Sequence, residues 1–127
     1  MTRGNGAPAT RYEFGSSAAE VGRDPDATRI VLTGDLDMST VPRARTILEA
    51  ACADNPGTVV LDLSAVDFVD SHGFQLLAAT HQALADDGGA LVLIPPHGPV
   101  RRVFEITGLL AVLHVDSSLA EAVVRWR

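Results

Sequence analysis

Two nearly continuous apolar stretches mark the centre of the fold. Thr58–Leu63 and Ala90–Ile94 are rich in valine, leucine and isoleucine, with only Asp62 interrupting the first. Short runs of this kind are typical of strands that are covered on both faces, rather than of edge strands that alternate between core and water. The pattern therefore predicts two central strands.

Weaker strand signals flank this centre. Tyr12 and Phe14 alternate with polar neighbours and predict a short edge strand, and Arg29–Thr33 predicts the next strand. The polar cluster at residues 22–26 is interpreted as the turn between them, and Gly34-Asp35-Leu36-Asp37 as the break that ends the second strand. Ala111–Val115 is predicted to be the last strand.

Helical spacing fills the two intervals around the first central strand. The first helix has Ser39 or Thr40 as its N-cap, Pro42 in its first turn, and a buried stripe predicted at Val41, Ala44, Leu48 and Ala51. Residues 55–57, Asn-Pro-Gly, end it. In the second helix, counted from Phe74, the stripe is predicted at Leu77, Ala78, Leu84 and Ala85, with Asp70 or Ser71 as the cap.

Two further helices are predicted towards the C-terminus. One begins at Pro99, ends at Gly108 and is expected to bury Val100, Val103 and Phe104 while exposing Arg101, Arg102 and Glu105. The other follows the capping box Ser118-x-x-Glu121, and its apolar face is predicted to comprise Leu119, Ala122, Val123 and Trp126.

The resulting order, β-β-α-β-α-β-α-β-α, predicts a single α/β domain. Right-handed crossovers give a mixed, mostly parallel central sheet of about five strands flanked by about four helices, and the first hairpin adds an antiparallel edge. Residues 1–10, rich in Gly, Ala and Thr, are predicted to be a flexible tail before a domain at residues 11–127. Asp37 and Ser71 should emerge where parallel strands end, which is where such sheets bind ligands and partners.

Ser71 has two interpretations. As an N-cap, its hydroxyl would accept a hydrogen bond from an amide of the first helical turn. As a functional group, it lies where free amides and the helix dipole favour an anion, so that a phosphate on this hydroxyl would be well placed. Asp35 and Asp37 likewise could be turn residues that accept amide hydrogen bonds.

Three motifs resemble the STAS-domain anti-sigma factor antagonists of bacteria. The apolar strand followed by Asp70-Ser71-His72-Gly73-Phe74 is similar to the motif around the family's phosphorylated serine, which Ser71 matches. Residues 32–37, Leu-Thr-Gly-Asp-Leu-Asp, resemble the first family motif, and residues 99–109 its third helix. His72 stands where the family usually has a small residue, and Phe74 where it has an aliphatic one.

The resemblance implies a regulatory binding module. Its unphosphorylated form would bind an anti-sigma factor that is also a serine kinase and so free a sigma factor, and phosphorylation of Ser71 would end that binding. ATP would belong to the partner, and a serine phosphatase would reset the switch. The expected partner-binding residues are Asp35, Asp37, Asp70, Ser71, His72, Gly73 and Phe74. The alternative is a STAS accessory module of a sensory or lipid-transport complex, with Ser71 as a structural cap.

Composition narrows the other classes of function. A net charge of −6 without a clustered basic surface argues against nucleic-acid binding. The chain has no run of about 18 apolar residues, so neither a membrane span nor export is predicted. A cytoplasmic location is therefore expected. The four histidines have no metal-ligand spacing, and we expect no metal and no cofactor. The single cysteine, Cys52, is interpreted as a small core residue, and His81 as a partly buried histidine with its hydrogen bonds satisfied.

Enzymatic readings fail on the pattern of residues. Asp70, Ser71 and His72 are adjacent and so cannot align as a catalytic triad, and Val69 occupies the first glycine position of a nucleophile elbow. A phosphate-binding Walker loop requires a lysine, as does the pattern of receiver domains, and the chain contains none. We therefore expect no catalytic residue, and we expect His72 to be exposed beside Ser71.

Overall fold

The computed structural model describes residues 9–23, 27–53, 57–96, 98–107 and 114–115, with side chains as far as Arg102. Six strands and three helices lie in this part of the chain. In chain order they are β1 (Thr10–Phe14), β2 (Ser17–Arg23), β3 (Thr28–Leu36), α1 (Val41–Cys52), β4 (Thr58–Val69), α2 (Ser71–Asp86), β5 (Ala90–Ile94), α3 (Gly98–Thr107) and β6 (His114–Val115).

The strands form one sheet in the order in which they occur along the chain. β1, β2 and β3 pair antiparallel, whereas β3 to β6 pair parallel. The predicted α/β class and the mixed sheet with an antiparallel edge are thereby confirmed. Because right-handed crossovers between successive parallel strands all turn the same way, α1, α2 and α3 are expected on one face of the sheet.

One strand was missed by the sequence reading. Ser17–Arg23 is a strand, so Gly22 and Arg23 are not part of a turn as predicted, and the hairpin turns instead at Gly15 and Ser16. Gly15 has a φ of 63°, a conformation that suits the first position of a two-residue hairpin turn. Small buried residues, Ala18 and Ala19, gave β2 little hydrophobic signal.

β3 and β4 extend further than predicted. The strand pattern in the sequence stops early because the pairing of the two strands is irregular. The register shifts between Val31 and Thr33 and again between Gly34 and Asp35, which breaks the alternation that marks a strand in sequence. Gly34 lies inside β3 and does not end it. At its φ of 91° a Cβ would lie 2.7 Å from the Ser17 hydroxyl oxygen, so glycine lets β2 approach β3 here.

A single large core joins the sheet to the helices. The predicted buried stripe of α1 is confirmed, with Ile47 added to it. In α2, Leu77 and Leu84 are buried as predicted, but Ala78 and Ala85 are exposed. The buried positions are Gly73, Leu76, Leu77, Thr80 and Leu84. The phase differs because α2 begins at Ser71, and its first buried residue is Gly73 rather than Phe74.

Two residues that were predicted to lie in the core, His81 and Cys52, are only half-buried. His81 is half-buried, but its Nδ1 has no hydrogen-bond partner among the described residues, so the prediction of a satisfied histidine is wrong there. Cys52 is half-buried and packs against the main core, and this burial raises the pKa of its thiol despite the opposing charge of Arg23.

The C-terminal predictions are tested only in part. Val100 is buried while Arg101 and Arg102 are exposed, as predicted for α3, and β6 lies within the predicted last strand. The predicted packing of Val103 and Phe104, the exposure of Glu105, the stop at Gly108 and the fourth helix at residues 118–126 all lie outside the described residues or side chains. So do residues 1–8 of the predicted tail, and β1 begins at Thr10.

Candidate functional site

The site is built where β3 and β4 end side by side. Leu36, the last residue of β3, pairs with Val69, the last residue of β4. The Asp70 backbone N–H then donates to the Leu36 carbonyl at 3.0 Å, which extends the contact by one residue. The loops that carry Asp37 and Ser71 therefore leave the sheet from neighbouring strands, as expected from the alternation of strands and helices.

Asp70 is the N-cap of α2 and also ties α2 to the loop after β3. Its Oδ1 accepts hydrogen bonds from the backbone N–H groups of His72 at 2.8 Å and Gly73 at 3.2 Å. Its Oδ2 accepts from the Met38 N–H at 3.0 Å. One carboxylate thus satisfies two amides of the first helical turn and one amide of the neighbouring loop.

These contacts set the charge state of Asp70. Partial desolvation is the largest single influence and acts to raise the pKa of Asp70, but the N–H groups of Gly73, Met38 and His72 together outweigh it. The pKa is consequently lowered, because hydrogen bonds from amides favour the ionised carboxylate. Asp70 is a fixed negative charge directly beside Ser71.

Ser71 is the first residue of α2, and its side chain is exposed. The interpretation of Ser71 as the helix cap is wrong, because Asp70 occupies that position. The Ser71 hydroxyl makes no hydrogen bond within the described part of the chain. Two amides of the first turn are already bound by Asp70, so they are not free to receive a phosphate as the sequence reading supposed. The hydroxyl itself is accessible and uncommitted.

Gly73 lies where α2 crosses the ends of β3 and β4. A Cβ at this position would lie 2.7 Å from the Leu36 carbonyl oxygen and 2.7 Å from Val69 Cγ1. Both distances are shorter than real Cβ contacts, and one of the atoms belongs to the backbone. Glycine is therefore needed for the close packing of the helix start on the sheet. Phe74 next to it is half-buried against the core.

The Asp37 side chain organises the start of α1. Asp37 Oδ1 accepts hydrogen bonds from the Ser39 N–H at 2.9 Å, the Ser39 hydroxyl at 2.7 Å and the Thr40 N–H at 3.2 Å. The Ser39 hydroxyl is the main reason that the pKa of Asp37 is lowered, and the amides add to it. Asp37 therefore has the turn role that the sequence reading left open.

Asp35 is different, because it lies within β3 and not in a turn. Its backbone N–H donates to the Ser17 hydroxyl oxygen at 3.1 Å, and its carbonyl accepts from the hydroxyls of Ser17 at 3.1 Å and Thr40 at 2.8 Å. These bonds hold β2, β3 and the start of α1 together. His72 is exposed as predicted, with Nδ1 3.5 Å from Asp70 Oδ2.

Several residues of the site were not found from the sequence. Met38 and Thr40 contribute through backbone or hydroxyl contacts that no pattern announces, and Ser17 comes from the unpredicted strand β2. Met38 and Phe68 are large apolar residues with 68% and 51% of their surface exposed. The sequence feature that could have singled out Met38 is its position, because it is an apolar residue between the polar residues Asp37 and Ser39.

Neither a metal site nor a membrane-spanning helix is found in the described part of the chain. No group of three or more His, Cys, Asp or Glu side chains in this part of the chain is arranged to hold a metal ion. None of the described helices is long and apolar enough to span a bilayer.

Comparison with known proteins identifies the class. The sequence model of the STAS domain matches residues 18–122, which include β2 from Ala18 onwards, the strands β3 to β6, and the residues of the site except Ser17. The chain therefore belongs to the STAS domain family.

Named relatives narrow the comparison further. The chain is 32% identical over 83 residues to the anti-sigma-B factor antagonist of Staphylococcus aureus strain NCTC 8325, an alignment that covers 65% of this chain and 77% of that protein. It superposes on the crystal structure of an anti-sigma factor antagonist from Mycobacterium paratuberculosis with a TM-score of 0.79 and 32% identity, covering 88% and 95% of the two chains.

A more distant likeness concerns the fold alone. The phosphorylated form of the Bacillus cell fate determinant SpoIIAA superposes with a TM-score of 0.66 at 24% identity, and the match covers 86% of this chain and 99% of that one.

Proposed function

We propose that this chain is an anti-sigma factor antagonist that is switched by phosphorylation of Ser71. In its unphosphorylated form it binds an anti-sigma factor that is also a serine kinase, and this binding frees a sigma factor. The relatives in Staphylococcus aureus and Mycobacterium paratuberculosis carry the name of this activity. The chain acts in the cytoplasm as ligand and substrate, and not as a catalyst.

The exposed Ser71 hydroxyl is the observation that carries the proposal. It lies at the first residue of α2, at the edge where β3 and β4 end, and makes no hydrogen bond within the described residues. A hydroxyl held in an internal network would have to break that network before it could react. Ser71 can instead enter a partner's active site while Asp70 keeps the helix capped.

The chemistry of the switch belongs to the partner. The partner binds ATP, and the γ-phosphoryl group passes from ATP to Ser71 Oγ while ADP leaves and the hydroxyl proton goes to a base on the kinase. A separate serine phosphatase hydrolyses the phosphoserine and restores the hydroxyl. No cofactor of this chain takes part.

The phosphate acts by charge at the contact surface. It adds roughly −1.5 to −2 charges next to the ionised Asp70 and close to Asp37. Association then requires the removal of water from the phosphate, and the neighbouring carboxylates oppose it further unless the partner supplies an arginine. The fold does not need to change. A loss of affinity of about a hundredfold to a thousandfold corresponds to only about 2.7 to 4 kcal/mol.

Titration of a purified anti-sigma factor kinase against three forms of the chain tests the proposal. We expect the wild type to bind, the Ser71-phosphorylated form to bind about a hundredfold more weakly or worse, and Ser71→Glu to lie between them because a carboxylate carries less charge than a phosphate. Circular dichroism serves as the folding control. Equal affinities of the wild-type and phosphorylated forms would refute the switch, and weaker binding with a loss of helix signal would assign the effect to unfolding.

A further inference from the structure

Two large apolar side chains lie exposed close to Ser71 without any assigned role. Met38, in the loop after β3, has 68% of its surface exposed, and Phe68, near the end of β4, has 51% exposed. Scattered exposed apolar residues are ordinary on a protein surface. These two are of interest because Met38 donates a hydrogen bond to Asp70 and Phe68 stands two residues before Asp70 in the chain.

Met38 is joined to the site by a hydrogen bond. Its backbone N–H donates to Asp70 Oδ2 at 3.0 Å, while Asp70 Oδ1 caps the helix that Ser71 begins. The position of the Met38 backbone is therefore fixed relative to Ser71, although its side chain is exposed. An apolar side chain on a fixed backbone loses less conformational entropy on binding than one on a free loop.

Phe68 reaches the same edge from the sheet. It pairs with Asp35, and the following residue, Val69, pairs with Leu36 in the main core. Phe68 is exposed whereas Val69 is buried in the main core, so the Phe68 side chain lies outside the core that α1 and α2 cover. It stands two residues before Asp70, so Phe68, Met38 and Ser71 all fall within the footprint of roughly 800 Å² that one partner covers in an ordinary interface.

The charges around these two side chains select the kind of partner. Residues 35–40 and 67–74 contain four aspartates, Asp35, Asp37, Asp67 and Asp70, and neither arginine nor lysine. An apolar pair inside an acidic rim is complementary to an apolar pocket bordered by arginine or lysine. A basic border also suits a protein that must bring the phosphates of ATP towards Ser71.

We propose that Met38 and Phe68 are the hydrophobic anchors with which this chain binds its anti-sigma factor, in an apolar pocket that has a basic rim. The inference rests on the proposed function. In it, Ser71 switches the binding on and off, and Met38 and Phe68 supply the affinity. Anchors of this kind carry most of the binding energy when they enter a pocket that excludes water, whereas the surrounding charges mainly set the rate of association and its dependence on salt.

The test uses the full-length chain and a panel of purified anti-sigma factor kinases encoded in the source genome. We expect Met38→Ala and Phe68→Ala each to weaken binding by about tenfold or more, and the double variant more than either. Tyr12→Ala is the matched control, since Tyr12 is an exposed aromatic residue, 40% exposed, on β1 at the far edge of the sheet. Its affinity should remain that of the wild type.

Salt and charge provide a second readout. Wild-type binding should weaken with added salt, and Asp67→Asn should reduce that dependence, whereas Glu49→Gln, on the exposed side of α1, should not. The factor lost in Phe68→Ala should persist at high salt, because burial of apolar surface is not screened. Thermal unfolding of each variant excludes a loss of folding as the cause.

The outcomes separate this inference from the proposed function. If phosphorylation weakens binding but Met38→Ala and Phe68→Ala bind like the wild type, the inference is overturned and the proposed function stands. If no anti-sigma factor of the panel binds the wild type, the proposed function fails and the inference with it. If the wild type is a dimer that the two alanine variants dissociate, the pair serves self-association and the inference is likewise overturned.

Discussion

The starts of α1 and α2 are built from similar residues and yet present different chemistry. Each follows a parallel strand, and each has an aspartate followed closely by a serine, Asp37 with Ser39 and Asp70 with Ser71. At α1 the Ser39 hydroxyl donates to Asp37 at 2.7 Å. At α2 the carboxylate of Asp70 accepts hydrogen bonds from three backbone amides and lies 3.5 Å from His72 Nδ1, and the Ser71 hydroxyl makes no hydrogen bond within the described residues. Two exposed serines near helix starts are thus distinguished by what their aspartates bind.

The difference shows how a helix start can be capped while the hydroxyl of its first residue stays exposed. Aspartate and serine are both good cap residues, so either could have satisfied the first turn of α2. Because Asp70 does so, the Ser71 hydroxyl makes no hydrogen bond to the described residues. At α1 the hydroxyl of Thr40 bonds the Asp35 carbonyl and that of Ser39 bonds Asp37, so both hydroxyls there are engaged in the fold.

The largest expected effect concerns labelling by the partner kinase. With ATP and a cognate anti-sigma factor kinase, we expect Ser71→Ala to abolish phosphate incorporation, because the Ser71 hydroxyl is the acceptor that we propose. Ser39→Ala is the matched control and should be labelled like the wild type. Mass spectrometry of the phosphopeptides measures both. Undiminished labelling of Ser71→Ala, or phosphate on Ser39, would break the distinction between the two helix starts.

The close packing of α2 on the ends of β3 and β4 at Gly73 gives the second largest expected effect. Gly73→Val should lower the free energy of unfolding by about 3 kcal/mol, near the upper end for an overpacked site, because the added carbons meet the Leu36 carbonyl. Gly22→Val in β2 is the control, since the nearest atom to a Cβ there is 3.8 Å away and valine suits a strand. Denaturant unfolding compares the two. Equal stabilities of the variants would show that α2 does not depend on close approach at Gly73.

The smallest expected effect is the dependence of stability on pH. The pKa of Asp70 is lowered in the folded protein, so its contribution is complete above the ordinary pKa of about 4 and is lost as the pH falls through the folded value. We therefore expect the wild type to lose more stability than Asp70→Asn between about pH 5 and pH 3. Asparagine can still accept from the first helical turn, but its NH₂ group cannot accept from Met38.

Thermal unfolding at a series of pH values measures this effect. Asp37→Asn is the companion variant, because the pKa of Asp37 is lowered as well but its bonds stay within its own loop. Parallel pH profiles for the wild type and Asp70→Asn would contradict the assigned role of the Asp70 carboxylate.

The sequence predicted the strands and helices whose buried residues follow the hydrophobic pattern that is typical of that element. The centres of β4 and β5 and the stripe of α1 are of this kind. It failed at β2, whose buried residues are small, and at the end of β4, where register shifts interrupt the alternation of faces. It also placed the stripe of α2 in the wrong phase, because the phase follows from a contact of Gly73 with the sheet that periodicity cannot reveal.

The candidate site, like the fold, was predicted only in part. Resemblance to a family singled out Ser71 and its neighbours, and the adjacency of β3 and β4 follows from the order of elements. The choice between Asp70 and Ser71 as cap could not be made from sequence, since both residue types cap helices well. The hydrogen bond from the Met38 N–H to Asp70 could not be predicted either, because the backbone N–H that donates it is the same whatever the side chain is.

The order of the strands has a consequence for how the protein is made. Each strand pairs with the one that precedes it along the chain, across a two-residue turn between β1 and β2 and across a helical crossover between the parallel strands β3, β4 and β5. The hydrogen bonds around Ser71 involve residues from Ser17 to Phe74, but α2 also packs on β5, and Phe74 lies against a core that includes Leu91 and Leu93. During synthesis from the N-terminus, the loops around Ser71 are therefore held in place only after β5 has been translated and has paired with β4.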